Sequence, residues 1–288
     1  MEEKRKQLEQ WMSMHADQDI CVAFSAGVDS SLILKLACEA AKRTGHTVYA
    51  ATFSTRLHPK ADLAEAKRAA DQMGAEHLVL EVDESSQDAI MSNPVNRCYL
   101  CKKYLFAELK AAAARVGAAY IMEGTNADDL NVYRPGIAAV RELQVLSPLS
   151  ELGITKAEVR ALAAALGISA ASRPSSPCLI TRIPYNTRVD FDILEKIGQG
   201  EEFMRGLGFR NVRLRLHGDV LRLEIDKESF PTLFEQEETV VSYMKELGFS
   251  YVTLDLEGFR SGSMDIGIGD KMEHRDAKER KPREKEER

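Results

Sequence analysis

The 288-residue chain is 44% hydrophobic and 29% charged, with a formal net charge of −6. This composition excludes a collagen, a coiled-coil rod and a fully disordered chain, and no stretch reaches the ~18 apolar residues of a membrane span. The acidic balance speaks against a general nucleic-acid binder, whose footprint is basic, and the length supports one large domain or two without a metal or disulfide to hold a core.

The N-terminal MEEKRKQLEQ is charged and lacks the apolar centre of a secretory signal. A cytoplasmic location is expected, with the five cysteines reduced and serving as ligands, nucleophiles or core. Residues 1–16 predict a helix, with Leu8, Trp11 and Met12 on one face. Asp19–Phe24 is a short apolar run that predicts a buried strand. The small-residue loop Ser25–Ser30 follows, and then a helix over Ser31–Arg43. The alternation continues with a strand at His46–Phe53, a helix at Pro59–Met73 and a strand at His77–Val82. A helix at Lys102–Val116 and a strand at Ala119–Met122 complete it. Strands alternating with helices predict an α/β fold, a parallel sheet with helices on both faces.

Thr155-Lys156-Ala157-Glu158 is a capping box that opens a helix running to Leu166. A Ser/Pro-rich stretch, Ser172–Pro177, precedes Cys178. Composition changes near Arg188, which sets domains at 1–187 and 188–270. The second predicts a helix (Phe191–Leu207), two strands (Val212–Leu216 and Val220–Ile225), a helix (Phe230–Leu247) and a strand (Tyr251–Leu254). The two middle strands are joined by a hairpin at His217-Gly218-Asp219, giving a smaller C-terminal α+β domain. Residues 271–288 hold eight Lys/Arg and six Asp/Glu and are expected to be a solvated, disordered tail.

Three groups of residues carry chemistry. In Ser25-Ala26-Gly27-Val28-Asp29-Ser30, a strand-to-helix turn aims backbone N–H groups and a positive helix end at whatever lies above the sheet edge. Ser25 and Ser30 supply hydroxyls for phosphate oxygens, and Asp29 a carboxylate to orient the loop or hold Mg²⁺; the alternative is a plain turn capped by serines. The loop lacks both the Walker lysine and GxGxxG, and it resembles the SGGxDS loop of PP-loop ATP pyrophosphatases, with Ala26 in place of the second glycine.

The second group is Cys98-Tyr99-Leu100-Cys101 with Cys178. A CxxC alone suits zinc, a redox pair, an iron–sulfur half-site or simple packing at a helix start. A closed zinc site wants four ligands, whereas three thiolates suit a [4Fe–4S] cluster with one open iron. Cys21, in a core strand, and Cys38, in a helix, are expected to pack. The third group is Arg213 and Arg215, which alternate along one strand and so share a face. They suit either a substrate phosphate or a solvated strand face.

Together the residues resemble the LarE family, ATP-dependent sulfur transferases of nickel-pincer nucleotide cofactor assembly. The resemblance runs from Asp19 to Met264. It rests on the Ser25–Ser30 loop, Asn96–Lys102, Glu123-Gly124-Thr125-Asn126-Ala127-Asp128-Asp129, Tyr133–Gly136, Cys178–Tyr185, Tyr251–Asp255 and Gly258–Gly262. It implies a PP-loop (adenine nucleotide alpha hydrolase-like) domain over 1–187. The implied reaction adenylylates a carboxylate of pyridinium-3,5-biscarboxylic acid mononucleotide with ATP and Mg²⁺, releases pyrophosphate, and replaces an oxygen by sulfur.

Carried onto this chain, Ser25, Gly27, Asp29, Ser30, Ser54 and Gly124 bind ATP. Cys178, Arg182 and Glu201 lie at the catalytic centre, with Thr181 beside Arg182, and Arg213 with Arg215 holds the substrate phosphate. Cys98, Cys101 and Cys178 ligate a [4Fe–4S] cluster that passes on sulfide; in the other branch of the family a cysteine gives up its own sulfur. The implied partners are a small-molecule substrate and a sulfide donor, with no nucleic acid or membrane, in a homo-oligomer. Thiolation of tRNA, amidation, and a non-catalytic nucleotide or iron–sulfur module are the alternatives. Ala26, Val132, Ile180, Thr181 and Asn186 depart from the family pattern.

Overall fold

The structure is a computed structural model that describes residues 1–57, 61–131, 134–172, 178–260 and 262–264. The expectations for the 271–288 tail, most of the Ser/Pro-rich stretch, Val132, Tyr133 and Ser261 lie outside the described residues. Two compact units divide the chain. One comprises Met1–Ile180 with Tyr185–Phe191, the other Thr181–Pro184 with the chain from Asp192 on.

In the first unit, α1 (Glu2–Met14) leads to β1 (Ile20–Ala23), α2 (Val28–Thr44), β2 (Val48–Ser54), α3 (Ala61–Met73) and β3 (Glu76–Glu81). Then come α4 (Asp88–Met91), α5 (Arg97–Arg115), β4 (Tyr120–Met122), α6 (Gly136–Glu142), α7 (Pro148–Glu151) and α8 (Lys156–Ala165). The strands form one parallel sheet in the order β3-β2-β1-β4. Alternate residues of each strand serve opposite faces, as the two-residue period of a strand requires. Ile20 and Val22 of β1, with Val48 and Ala50 of β2, pack into a core with α1, α2 and α8. Cys21 and Ala51 face the other way, into a core built on Leu105, Phe106 and Leu109 of α5 and Val140 of α6. The sheet is therefore covered on both sides, as the alternating pattern predicts.

Cys21 is fully buried, which pushes its thiol up to about 12; burial lifts Cys38, packed against the first core, to the same value. Both fit packing roles.

The first α-helix of the second unit is α9 (Phe191–Gly206), whose first residue still belongs to the first unit. The unit continues with β5 (Val212–His217), β6 (Val220–Ile225), α10 (Phe230–Glu235), α11 (Glu237–Glu246) and β7 (Tyr251–Leu254). Its sheet runs β5-β6-β7, antiparallel between the first two strands and parallel between the last two. His217 pairs with Val220 across the two-residue turn Gly218-Asp219, with Gly218 at φ +60°. Gly200 lets α9 approach the sheet and α11 closely: a Cβ there would lie 2.5 Å from Leu214 Cδ1 and 3.1 Å from Met244 Sδ.

The structure corrects two sequence expectations. The helix expected over Phe230–Leu247 is two helices, broken at Gln236, whose backbone leaves the helical region at φ −113° and ψ 12°. Glu237 and Glu238 then open α11, where negative charge suits a helix start. The helix expected from Lys102 begins at Arg97, so both cysteines of the CxxC lie inside α5. Among the described residues no helix is long and apolar enough to cross a membrane.

Candidate active site

β1 lies between β2 and β4, so the chain runs outward on one side of β1 and returns on the other. In open parallel sheets, ligands bind beyond the carboxyl ends of the strands where the order reverses. The loops there are Phe24–Gly27, after β1, and Glu123–Asn126, after β4.

The first loop is shaped for an anion. Ala26 sits at φ +54°, in the left-handed region, where an alanine is strained by roughly 1 kcal/mol. That geometry turns successive N–H groups to one side, as in backbone anion nests. Gly27 caps α2, whose 17 residues add a helix dipole. The loop's hydroxyls hold it in shape: Ser30 Oγ donates to Gly27 O at 3.2 Å and accepts from Ser25 N at 3.3 Å, while Gly27 N donates to Ser25 Oγ at 3.4 Å.

Gly124 belongs to this site by close approach. A Cβ there would lie 3.0 Å from Asp29 Cβ and 3.1 Å from Ser30 N, so the β4 loop rests directly on the start of α2. Asp29 Oδ1 accepts from Asn126 Nδ2 at 3.2 Å, and Oδ2 pairs with the Lys156 ammonium. Neither Asn126 nor Lys156 stands out in sequence as a site residue. Lys156 lies hidden within the capping box, which is present in full: Thr155 and Glu158 bond reciprocally.

Glu123 is buried and accepts from Lys102 Nζ at 3.0 Å, Ser147 Oγ at 2.6 Å and Thr125 N at 2.9 Å. Burial alone would raise its carboxyl. The Lys102 charge and these bonds outweigh that and hold it below the usual range. Ser54 ends β2, at the same edge of the sheet, and its carbonyl accepts from Val82 N at 3.0 Å.

The cysteines form a second group in the same unit. Cys98 and Cys101 are one turn apart at the start of α5 and so share a face. Cys98 is exposed, and Cys101 and Cys178 are half-buried. Burial pushes the Cys101 thiol up, and the charges of Cys178, Glu84 and Cys98 push it further, which puts these groups in one neighbourhood. Glu84 is itself buried and raised by desolvation. Among the described residues no three Cys, His, Asp or Glu side chains are gathered as a ready metal site.

The segment after Cys178 is tied to the same unit at two points. Leu179 N donates to Leu57 O at 2.8 Å, and Asn186 N to Asn93 O at 2.8 Å. Asn186 stands at φ +63°, which asparagine tolerates better than most residues. Ala26 and Asn186, two of the departures from the family pattern, thus both adopt the left-handed backbone. Arg97 secures Asn93 through a 2.7 Å bond to its Oδ1 and lies over the Tyr185 ring at 4.3 Å.

The remaining residues singled out in sequence lie in the second unit, where Arg182, Glu201 and Arg215 are committed to ion pairs. Arg182 and Glu201 form a bidentate pair at 2.6 and 2.9 Å, both buried, and Leu214 N and Arg205 also donate to Glu201 at 3.1 and 3.0 Å. Arg215 Nε pairs with buried Glu224 at 2.7 Å and its Nη1 donates to Thr181 O at 2.7 Å. Arg213 and Arg215 are both buried, which overturns the solvated-face alternative. The Arg213 guanidinium is pulled down to about 10 by burial and then by Arg182, against the upward pull of Glu201.

Comparison with known proteins places the chain among relatives. The asparagine synthase family matches residues 4–99. The pyridinium-3,5-bisthiocarboxylic acid mononucleotide synthase of Lactiplantibacillus plantarum is 35% identical over 86% of this chain and 89% of its own length. An uncharacterized protein of Synechocystis is 36% identical over 84% and 90%. A tRNA-specific 2-thiouridylase of Parvibaculum lavamentivorans is 30% identical, over 64% of this chain and 54% of its own. With a strand-to-helix loop at the sheet's switch point and relatives aligned along most of its length, the chain belongs to the LarE family of PP-loop, ATP-dependent sulfurtransferases.

Proposed function

We propose that the chain adenylylates a carboxylate of pyridinium-3,5-biscarboxylic acid mononucleotide and converts it to a thiocarboxylate. The observation that carries this reading is the anion-shaped Ser25–Ser30 loop in a chain 35% identical to a synthase whose name states that product class.

The step balances simply. A carboxylate oxygen attacks the α-phosphorus of ATP and pyrophosphate leaves. Hydrosulfide then attacks the activated carbonyl carbon, the bond to AMP breaks, and one proton is released. The loop N–H groups and the α2 N-terminus stabilise the charge that gathers on the departing pyrophosphate. Asp29 is the carboxylate for the Mg²⁺ that accompanies ATP, and an ammonium already rests on it in this structure. Arg213 holds the substrate phosphate. It is buried beside the charges of Arg182, Arg205 and Arg215, surroundings that a phosphate dianion relieves. Arg182 and Glu201, sealed against each other, position the Thr181 turn and Leu214 rather than touch substrate.

Cys98, Cys101 and Cys178 would hold a [4Fe–4S] cluster. The donor set fits in kind: Cys98 and Cys101 share a face of α5, and Cys101, held protonated by burial and by the charge of Cys178 and Cys98, is a thiol that a cationic group would stabilise as thiolate. Such a cluster supplies an open iron from which sulfide is delivered. Exchange of Cys178 for serine is expected to stop sulfur transfer while pyrophosphate release continues. It is also expected to lower iron from about four per reconstituted chain. Sulfur transfer undiminished in Cys178→Ser would refute the cysteine's role.

A further inference from the structure

The turn after β3 carries the polar residues Asp83-Glu84-Ser85-Ser86, and all but Glu84 are exposed, as turn residues usually are. Glu84 is turned inward and is 1% exposed. The turn is held by its own bonds, from Ser85 N to Asp83 Oδ1 at 3.0 Å and from Gln87 N to Glu84 O at 2.9 Å. Neither carboxyl oxygen of Glu84 has a hydrogen-bond partner among the described residues. Its own N–H, the Thr55 hydroxyl and Asp83 act on its charge, and no cation is among them. A buried carboxyl without a partner is costly unless a cation or a metal compensates it. Glu84 lies beside the cysteine group. Val82, two residues before it, and Cys101 pack into the same core with Leu105 and Phe106 of α5. Thr55 Oγ1 accepts from Leu57 N at 3.1 Å, and Leu57 O accepts from Leu179 N, the neighbour of Cys178, at 2.8 Å. The charges of Cys178 and Glu84 both reach the Cys101 thiol. Among the described residues these side chains are not gathered as around one ion. A four-iron cluster takes each ligand on a separate iron and does not require that.

We propose that Glu84 is the fourth ligand of the cluster, a carboxylate that caps the open iron at rest and yields it to sulfide. This rests on the reading of Cys98, Cys101 and Cys178 as the other three ligands. A hard carboxylate oxygen holds the iron of such a cluster less firmly than soft thiolates do, so Glu84 is the ligand that exchanges. Hydrosulfide and carboxylate are both monoanions, so replacing one by the other leaves the charge of a buried site unchanged. The iron–oxygen bond breaks, an iron–sulfur bond forms, and no electron or proton moves. The capped iron also supplies the cation that the buried Glu84 otherwise lacks. While no sulfur is bound, the cap keeps the iron without a thiolate from leaving.

The test uses the full chain, reconstituted without oxygen, with Glu84→Gln, which keeps the shape of the side chain, and Glu84→Ala, which removes it. Each is titrated with sodium sulfide and followed by the visible absorption of the cluster. Separate samples are treated with an equivalent of ferricyanide before iron is counted and the EPR spectrum recorded. The parent is expected to keep about four irons per chain, and both variants to fall to about three, with the EPR signal of a three-iron cluster. Both variants are expected to half-saturate at about tenfold less sulfide, since no carboxylate has to be displaced. If the parent keeps its irons and both variants match it in iron count and sulfide half-saturation, Glu84 is not a ligand, while the cysteine reading stands. Fewer than about three irons in the variants before oxidation would assign Glu84 to holding up the site as a whole and would also overturn the proposal. A parent that takes up no iron overturns the cysteine reading and this proposal together.

Discussion

Asp29 and Lys156 meet in the N-terminal unit with side chains 20% and 35% exposed, whereas Arg182 and Glu201 meet in the C-terminal unit at 2% and 0%. The first pair is a single contact shared with an amide, and water reaches it. The second is bidentate, and Glu201 takes two more donors, Arg205 and the backbone of Leu214. Exposed pairs contribute little stability and exchange partners readily. Buried pairs are hard to break, because removing one partner leaves an uncompensated charge in a dry interior. The contrast separates a pair that can exchange partners from a pair that fixes geometry.

That separation predicts opposite phenotypes. Asp29→Ala is expected to abolish pyrophosphate release while the unfolding free energy measured in urea stays within about 1 kcal/mol of the parent. Release at the parent's rate would make the loop merely structural. Glu201→Ala is expected to destabilise the chain by about 3–5 kcal/mol, measured by urea unfolding, because Arg182 is left buried without its partner. A neutral result would mean that this pair does not hold the second unit together. Gly124→Ala crowds Asp29 Cβ at 3.0 Å and Ser30 N at 3.1 Å. Displacing the phosphate loop in this way is expected to raise the KM for ATP about tenfold, with a small change in stability. An unchanged KM would show that the two loops yield without disturbing the nucleotide.

The Glu123 carboxyl gives a pH test of smaller effect. Its ionisation range is lowered in the folded chain, so its stabilisation is present above the unfolded carboxylate range and is lost as pH falls through the folded one. Lys102→Met is expected to shrink that acid-sensitive part of the unfolding free energy, seen as a flatter dependence of the urea midpoint on falling pH. Ala26→Gly carries the smallest effect, a gain of about 0.5–1 kcal/mol, because glycine adopts the φ +54° backbone without strain. A loss of stability there would contradict the left-handed loop.

The regular part of the fold is legible in sequence for a simple reason. Ile20–Ala23 and Val48–Ser54 are apolar runs buried on both faces, and Gly45, Gly74 and Gly117 end their helices at positive φ. The break at Gln236 leaves no mark, since no proline or glycine stands there. The Ser25–Ser30 turn is equally readable, because its residues are contiguous. Lys156 is not: it lies 127 residues from Asp29, and only the fold brings α8 beside α2. The arginine pair illustrates a middle case. Alternation correctly places Arg213 and Arg215 on one face, but it cannot tell that the face is buried or that Arg215 is committed to Glu224.

The most direct test of the account supplies the purified chain with MgATP, sulfide and pyridinium-3,5-biscarboxylic acid mononucleotide, without oxygen, and follows pyrophosphate and product mass together. The account predicts pyrophosphate and AMP in equal amounts with a product in which a carboxylate oxygen has become sulfur, both lost in Asp29→Ala. Pyrophosphate release that ignores this nucleotide, or a product that keeps all its oxygens, would contradict it.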